Sequence, residues 1–236
     1  MKSIFTSVTI NGCHMLRDLG LAMSRTDCVQ PPEPKTITQD IPGADGAVDL
    51  TESLTGRPLY NNREIKMEFG RGLERNQWPG MYSKVMGLFH GKAVRVIFDD
   101  DPDYFYSGRA KVSEYARTQT LGTMVITVDA KPYKEELYGG LERWKWDSLN
   151  FRTGIIRNYR ELKVDGRREV RITGRSKTVI PIIISSASMK VEWLGVQYDL
   201  VSGNNKIYDI AIPEGENILA FIGNGTVSID YRGGIL

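Results

Sequence analysis

The sequence predicts a mainly β protein of two β-sandwich domains, and three observations carry that expectation. Gly, Pro, Asn or Asp interrupts the chain about every 8 to 12 residues, with short Val-, Ile-, Thr- and Tyr-rich runs between, which is the spacing of sandwiches and barrels. Most of these runs alternate apolar and polar residues, as half-buried strands do. The chain has 236 residues, and at about 150 residues per domain that exceeds one modest domain.

The elements follow in order. The N-terminus, residues 1–12, alternates polar and apolar and then turns at Asn11-Gly12, where a signal peptide would show an unbroken apolar run. Pro31, Pro32 and Pro34 make 30–35 a stiff extended bridge between strands, because each ring fixes φ and disfavours helix before it. Strands are expected at Ile65–Phe69, Ala93–Phe98, Tyr104–Tyr106 and Thr123–Ala130. One helix is expected over 77–91: Met81, Val85, Leu88 and Phe89 recur at helical spacing, with Pro79 near the start and Gly91 past the end.

Residues 131–141 combine a Pro, a charge cluster and the pair Gly139-Gly140, which breaks the strand pattern and places a domain junction there. The expected domains are 1–138 and 139–236. In the second, strands at 178–184, 189–193, 197–201, 206–212, 218–222 and 226–231 fit a compact β-sandwich.

Composition narrows the function classes. Hydrophobic residues at 41% and charged residues at 25% are ordinary for a globular protein. The balance of 31 basic against 29 acidic residues gives a net +2, too small a field to draw in nucleic acid or an acidic membrane. No apolar run approaches the roughly 18 to 20 residues of a membrane span. Cys13 and Cys28 are too few for a disulfide scaffold, so the chain is expected to be made and to be soluble in a reducing cytosol.

Residues 151–177 carry nine basic and three acidic side chains, a local excess. The solvated face of two strands flanking a turn at Asp165-Gly166 accounts for it. The alternative is a nucleic-acid patch with Phe151 and Tyr159 as stacking residues. It is disfavoured because the basic residues alternate with strand-forming apolar ones instead of clustering around aromatics.

Catalytic chemistry is hard to find. Cys13-His14, Cys28 and the distant His90 contain no paired-ligand spacing of a zinc site, which leaves buried thiols and incidental imidazoles. A calcium loop starting at Asp99 needs Gly at its sixth position and Glu at its twelfth, but Tyr104 and Ala110 stand there, so Asp99–Asp103 is expected to be a hairpin turn. Residues 70–75 begin like a dinucleotide fingerprint but lack the last Gly and a βαβ setting, and a turn is the reading. Trp144, Trp146 and Trp193 would suit a sugar-stacking platform, yet packing in the core is the commoner use of tryptophan. No enzyme activity, cofactor or metal site is expected.

An ordered set of motifs carries a family resemblance. Asp18-Leu19-Gly20-Leu21-Ala22-Met23, Pro34-Lys35, the run 41–51 (IPGADGAVDLT), Tyr60-Asn61-Asn62-Arg63-Glu64-Ile65, Leu88–Lys92 leading into Phe98–Asp101, Tyr106–Arg109 and the C-terminal run 223–236 (GNGTVSIDYRGGIL) together resemble the distal tail (Dit) proteins of long-tailed bacteriophages. These motifs are turns and strand edges, and the likeness runs nearly end to end.

The resemblance implies an N-terminal β-sandwich with a short helix and a projecting β-hairpin arm, and a C-terminal galectin-like β-sandwich. It implies a homohexameric ring at the tail tip of a virion, contacting the tail tube protein and the tail-associated hub protein, with outward domains available to receptor-binding or baseplate proteins. The role would be architectural, without membrane or specific nucleic-acid binding. The arm would span about 36–62, with Ile37, Ile41, Val48, Leu50 and Tyr60 at the subunit interface. A glycan-binding module for host cell-wall sugars is the alternative. Against it, Asn150-Phe151-Arg152 lacks the His, and Trp193–Gln197 the Glu, of the sugar-binding galectin units.

Overall fold

The computed structural model describes residues 7–24, 29–43, 45–53, 55–71, 76–117, 122–141 and 159–236. The chain forms two compact units, Met1–Lys134 and Glu135–Leu236. Both are built from antiparallel strands, as the alternating runs predict.

The first unit begins with the hairpin β1 (Val8–Ile10) and β2 (Cys13–His14). Asn11 and Gly12 hold φ of 48° and 82° at its turn, the left-handed pair that Asn-Gly adopts readily. A five-residue helix, α1 (Met15–Leu19), follows. Its cap was not read from the sequence: His14 Nδ1 accepts the Arg17 N–H at 3.0 Å, the His14 N–H donates to Asp18 at 2.8 Å, and Gly20 closes the end at φ 64°. Then come β3 (Ala22–Met23), the pair β4 (Thr38–Asp40) and β5 (Ala47–Asp49), β6 (Arg63–Arg71), α2 (Trp78–Phe89), β7 (Ala93–Phe98), β8 (Tyr104–Arg117) and β9 (Gly122–Ala130). The main sheet runs β2-β1-β7-β8-β9-β6-β3, every neighbouring pair antiparallel.

Helix α2 stands where the periodicity puts it, but its inner face differs from the expected one. Val85 and Phe89 are buried and Met81 is half-buried, while Leu88 lies exposed and Trp78 is the largest side chain in the core. Trp78 fits because strand β9 starts with Gly122: a Cβ there would lie 2.0 Å from the indole Cε2.

The second unit contains β10 (Lys134–Glu136, its first residue closing the first unit), β11 (Leu162–Gly174), β12 (Ile182–Ser185), β13 (Met189–Trp193), β14 (Val196–Leu200), β15 (Gly203–Asn205), β16 (Gly215–Asp230) and β17 (Gly234–Ile235). Its sheet runs β14-β13-β16-β12-β15, with β11 paired along the other side of β16. Residues 135–140 belong to this unit by bonding. Glu136 pairs with Arg175 at 3.0 Å, Glu135 with Lys177 at 2.7 Å, and the Gly140 N–H reaches Tyr231 O at 3.0 Å. Gly140 is glycine by close approach, since a Cβ would meet Ile229 O at 2.6 Å.

Three expectations in this unit are corrected. The strands at 218–222 and 226–231 are one strand, because Gly223 and Gly225 keep the chain extended at φ 142° and 147° instead of turning it. There the backbone passes so close to Met189 and Ser186 that a Cβ at either glycine would come within 2.7 Å. Asp165-Gly166 is likewise no turn: β11 runs through it, with Gly166 opposite Gly223 in unbroken register. Residues 206–212 form no strand; the ordered ladder is β15, just before, which pairs with β12.

Candidate assembly surface

The pairing that makes the arm starts at the sheet edge. Beyond β3 and β6, the Gln30 N–H donates to Glu64 O at 3.0 Å, and Val29–Ile65 and Pro34–Tyr60 form isolated bridges. The Asn61 N–H then reaches Glu33 O and the Lys35 N–H reaches Leu59 O, both at 2.8 Å. The outgoing chain stays extended because its prolines allow little else. The returning chain makes a turn first, with the Gly56 N–H on Glu52 O at 2.7 Å.

The arm proper is the hairpin β4·β5, in the register Thr38↔Asp49, Gln39↔Val48 and Asp40↔Ala47. Glycines at 43 and 46, at φ 85° and 76°, shape its tip. At its root the Leu50 N–H donates to Ile37 O at 2.8 Å, the Ile37 N–H to the Thr51 hydroxyl at 3.0 Å, and the Thr51 N–H to Asp49 at 2.8 Å. The Thr51 side-chain and backbone bonds hold the Asp49 carboxyl below its ordinary pKa.

Opposed residues of an antiparallel pair share a face, and successive residues alternate. The register therefore gathers Ile37, Gln39, Ile41, Val48 and Leu50 on one side and Thr38, Asp40, Ala47 and Asp49 on the other. Four of the five sequence-named residues thus form one apolar stripe. Ile37, Ile41 and Val48 are 51%, 49% and 42% exposed, and Leu50 is half-buried at the root. Tyr60 is not on the stripe: it sits at the base, its ring edge-on to Tyr133 at 6.1 Å. Leu59, 37% exposed, lies beside it and was not singled out from the sequence.

The residues examined for chemistry do other work. His14 Nε2 lies 3.2 Å from Asp99, and His90 Nδ1 accepts the Val112 N–H at 3.1 Å. Burial, then Asp18, pushes the Cys13 thiol up; Cys28 lies outside the described residues. Asp99–Asp103 joins β7 to β8, and Asp101 pairs with Lys134 at 2.6 Å. Trp193 is buried in the second core, while Trp144, Trp146 and the Asn150–Arg152 motif lie outside the described residues.

In the basic run, Arg167 bridges to Glu192 through two bonds of 3.2 and 3.3 Å, Arg168 donates to Lys163 O, and Arg171 lies 3.4 Å from Glu216. Arg157 lies outside the described residues. Among the described residues, the open grooves include two of note. One of about 390 Å³ is lined by Arg167, Glu169, Glu192, Leu194 and Ile218; the other, of about 550 Å³, by Arg95, Arg109, Asp129 and Lys131. Among the described residues no group of three His, Cys, Asp or Glu is placed to hold a metal ion.

A mainly β chain of two units with a hairpin arm is the class that this geometry defines. No protein-family model matches the chain, and no curated protein matches it. Among solved structures it is similar to the Dit protein of phage SPP1, described as a paradigm of the hub adsorption apparatus in phages infecting Gram-positive bacteria. The TM-score is 0.58 at 12% identity, covering 98% of this chain and 99% of that one. The chain has a Dit-like fold, and the resemblance carried by its ordered motifs is borne out in three dimensions.

Proposed function

We propose that this chain is a structural hub of a phage tail tip. Six copies form a ring that joins the tail tube to the tail-associated hub protein, within the virion. The first unit forms the ring and the second, as a galectin-like sandwich, faces outward toward adsorption proteins. The role is architectural and needs no cofactor.

The end-to-end fold likeness supports the tail-tip role, and the arm supports the assembly. A lone two-stranded hairpin is marginal in water, and this one exposes an apolar stripe that the described residues leave uncovered. Burying the exposed halves of Ile37, Ile41 and Val48 on a neighbour is worth roughly 1 kcal/mol each, taking half of the value for a full aliphatic side chain. A head-to-tail contact of this kind must close into a ring or grow into a filament.

Multi-angle light scattering on the wild type and on a variant combining Ile37→Ser, Ile41→Ser and Val48→Ser tests this reading. The expectation is a mass of six times 26.6 kDa for the wild type and a folded, smaller species for the variant. A wild type that stays monomeric at every concentration, or a variant that assembles unchanged, overturns it.

A further inference from the structure

Strand β14 ends the sheet of the second unit, and among the described residues it pairs with β13 alone. The turn between them, Leu194-Gly195, has φ of 50° and 82°, a two-residue turn of the primed kind. In such a hairpin the flanking residues, Trp193 and Val196, exchange the first pair of hydrogen bonds. The N–H and C=O of Gln197 and Asp199 consequently point away from β13.

Edges of this kind are normally blunted by charge, proline, a bulge or short length. The other edges of this sheet are: β11 carries Lys163, Asp165, Arg167, Arg168, Glu169 and Arg171, and β15 has three residues. Strand β14 has no Lys, no Pro and an unbroken register. Val196 is 52% exposed on it, and Leu194 and Val201 flank it at 84% and 62%. Leucine in the left-handed region is strained, where Asn would sit with little cost.

We propose that β14 is the docking edge for a second copy of this chain, the two strands pairing antiparallel about a two-fold axis at Tyr198 and joining the two sheets. The sequence of the edge is self-complementary in that register. Gln197 falls opposite Asp199 of the second copy, so an amide meets an exposed carboxylate twice, and both positions have outward backbone groups. Val196 falls opposite Leu200, and Tyr198 opposite Tyr198. No like charges oppose each other, and Lys190, 3.8 Å from Asp199, adds a cation on the same face. Because the contact is isologous it cannot propagate around a six-fold axis, so it joins protomers that are not ring neighbours. It is independent of the arm.

The experiment is hydrogen–deuterium exchange with sedimentation velocity on the full chain over rising concentration, for the wild type, Val196→Lys, Gln197→Pro and the triple arm variant. Wild type and arm variant should show slowing exchange across 194–201 as concentration rises, with a twofold rise in mass. Gln197→Pro removes two backbone bonds across the two-fold and should weaken pairing about 10- to 30-fold. Val196→Lys should act in the same direction by placing a lysine at the edge.

Exchange across 194–201 that is independent of concentration overturns the proposal, as does pairing untouched by both edge variants. So does pairing lost in the arm variant while both edge variants keep it. Protection by a synthetic peptide alternating Val and Lys, without self-pairing, would assign the edge to a foreign strand and also overturn it. Failure of the ring alone would appear as a wild type that stops at dimers.

Discussion

Substituting glycine by alanine should have opposite effects at two places around helix α2. At Gly122 the added methyl lies 2.0 Å from Trp78 Cε2 and 2.3 Å from Cδ2. Carbon atoms pack at about 3.5–4.0 Å, so the indole or the strand must move by roughly 1.5 Å. Trp78 has nowhere to go, being fully enclosed and leaning on Tyr115 at a ring distance of 6.2 Å. Overpacking of this sort costs about 1–3 kcal/mol, and the closeness here favours the upper end. At Gly87, exposed on the same helix, nothing lies within 4 Å of the added methyl. There alanine should stabilise by about 0.5–1 kcal/mol through helix propensity and a less flexible unfolded chain. At about 2–4 °C per kcal/mol, Gly122→Ala should lower the first unit's transition by about 6–12 °C, and Gly87→Ala should raise it by about 1–4 °C. Differential scanning calorimetry reads both. A Gly122→Ala transition within about 1 °C of wild type would refute the reasoning that this glycine is the slot for Trp78.

Other outcomes follow from single side chains. The Arg17 bond, followed by the His14 N–H, holds the Asp18 carboxyl down at about 2. A depressed carboxylate contributes stability above its unfolded value and loses it as pH falls through its folded value, so the loss should occur between about pH 4 and 2. Carboxyl NMR should show a midpoint near 2 for Asp18; one near 4 would contradict the capping geometry. Asn205 is buried, donating to Val201 O at 2.8 Å and Gly203 O at 3.0 Å and accepting the Val201 N–H at 2.9 Å. Asn205→Ala should destabilise the second unit by about 2–4 kcal/mol in urea unfolding, and a loss under 1 kcal/mol would contradict that role. Filter binding should find no salt-sensitive DNA affinity in the basic run, whose Arg167 and Arg171 already face carboxylates. Salt-sensitive binding lost on replacing Arg160, Arg167 and Arg168 by Ser would contradict this.

What the sequence disclosed follows physical lines. Local signals were legible: the Asn11-Gly12 turn, the alternation of Ala93–Phe98 and the Met81–Phe89 period each act within a few residues. Signals that depend on a distant neighbour were not. Gly223 and Gly225 look like turn residues, yet they are glycine because β12 and β13 are joined against them. Trp78 looks like a helix-start residue until Gly122, far along the chain, opens room for it. The arm's apolar stripe was legible because residues alternate and their opposition follows from one short hairpin. The packing of Tyr60 on Tyr133 was not legible, because it joins the arm's base to a residue far along the chain.

The proposed function requires the chain to close into a six-membered ring at a tail tip. Electron microscopy of tail particles assembled with this protein carrying a small fused tag on its second unit tests it most directly. Six tag densities around a closed ring at the distal end are expected. A tag absent from the tail end, or present in one copy or an open spiral, would contradict it.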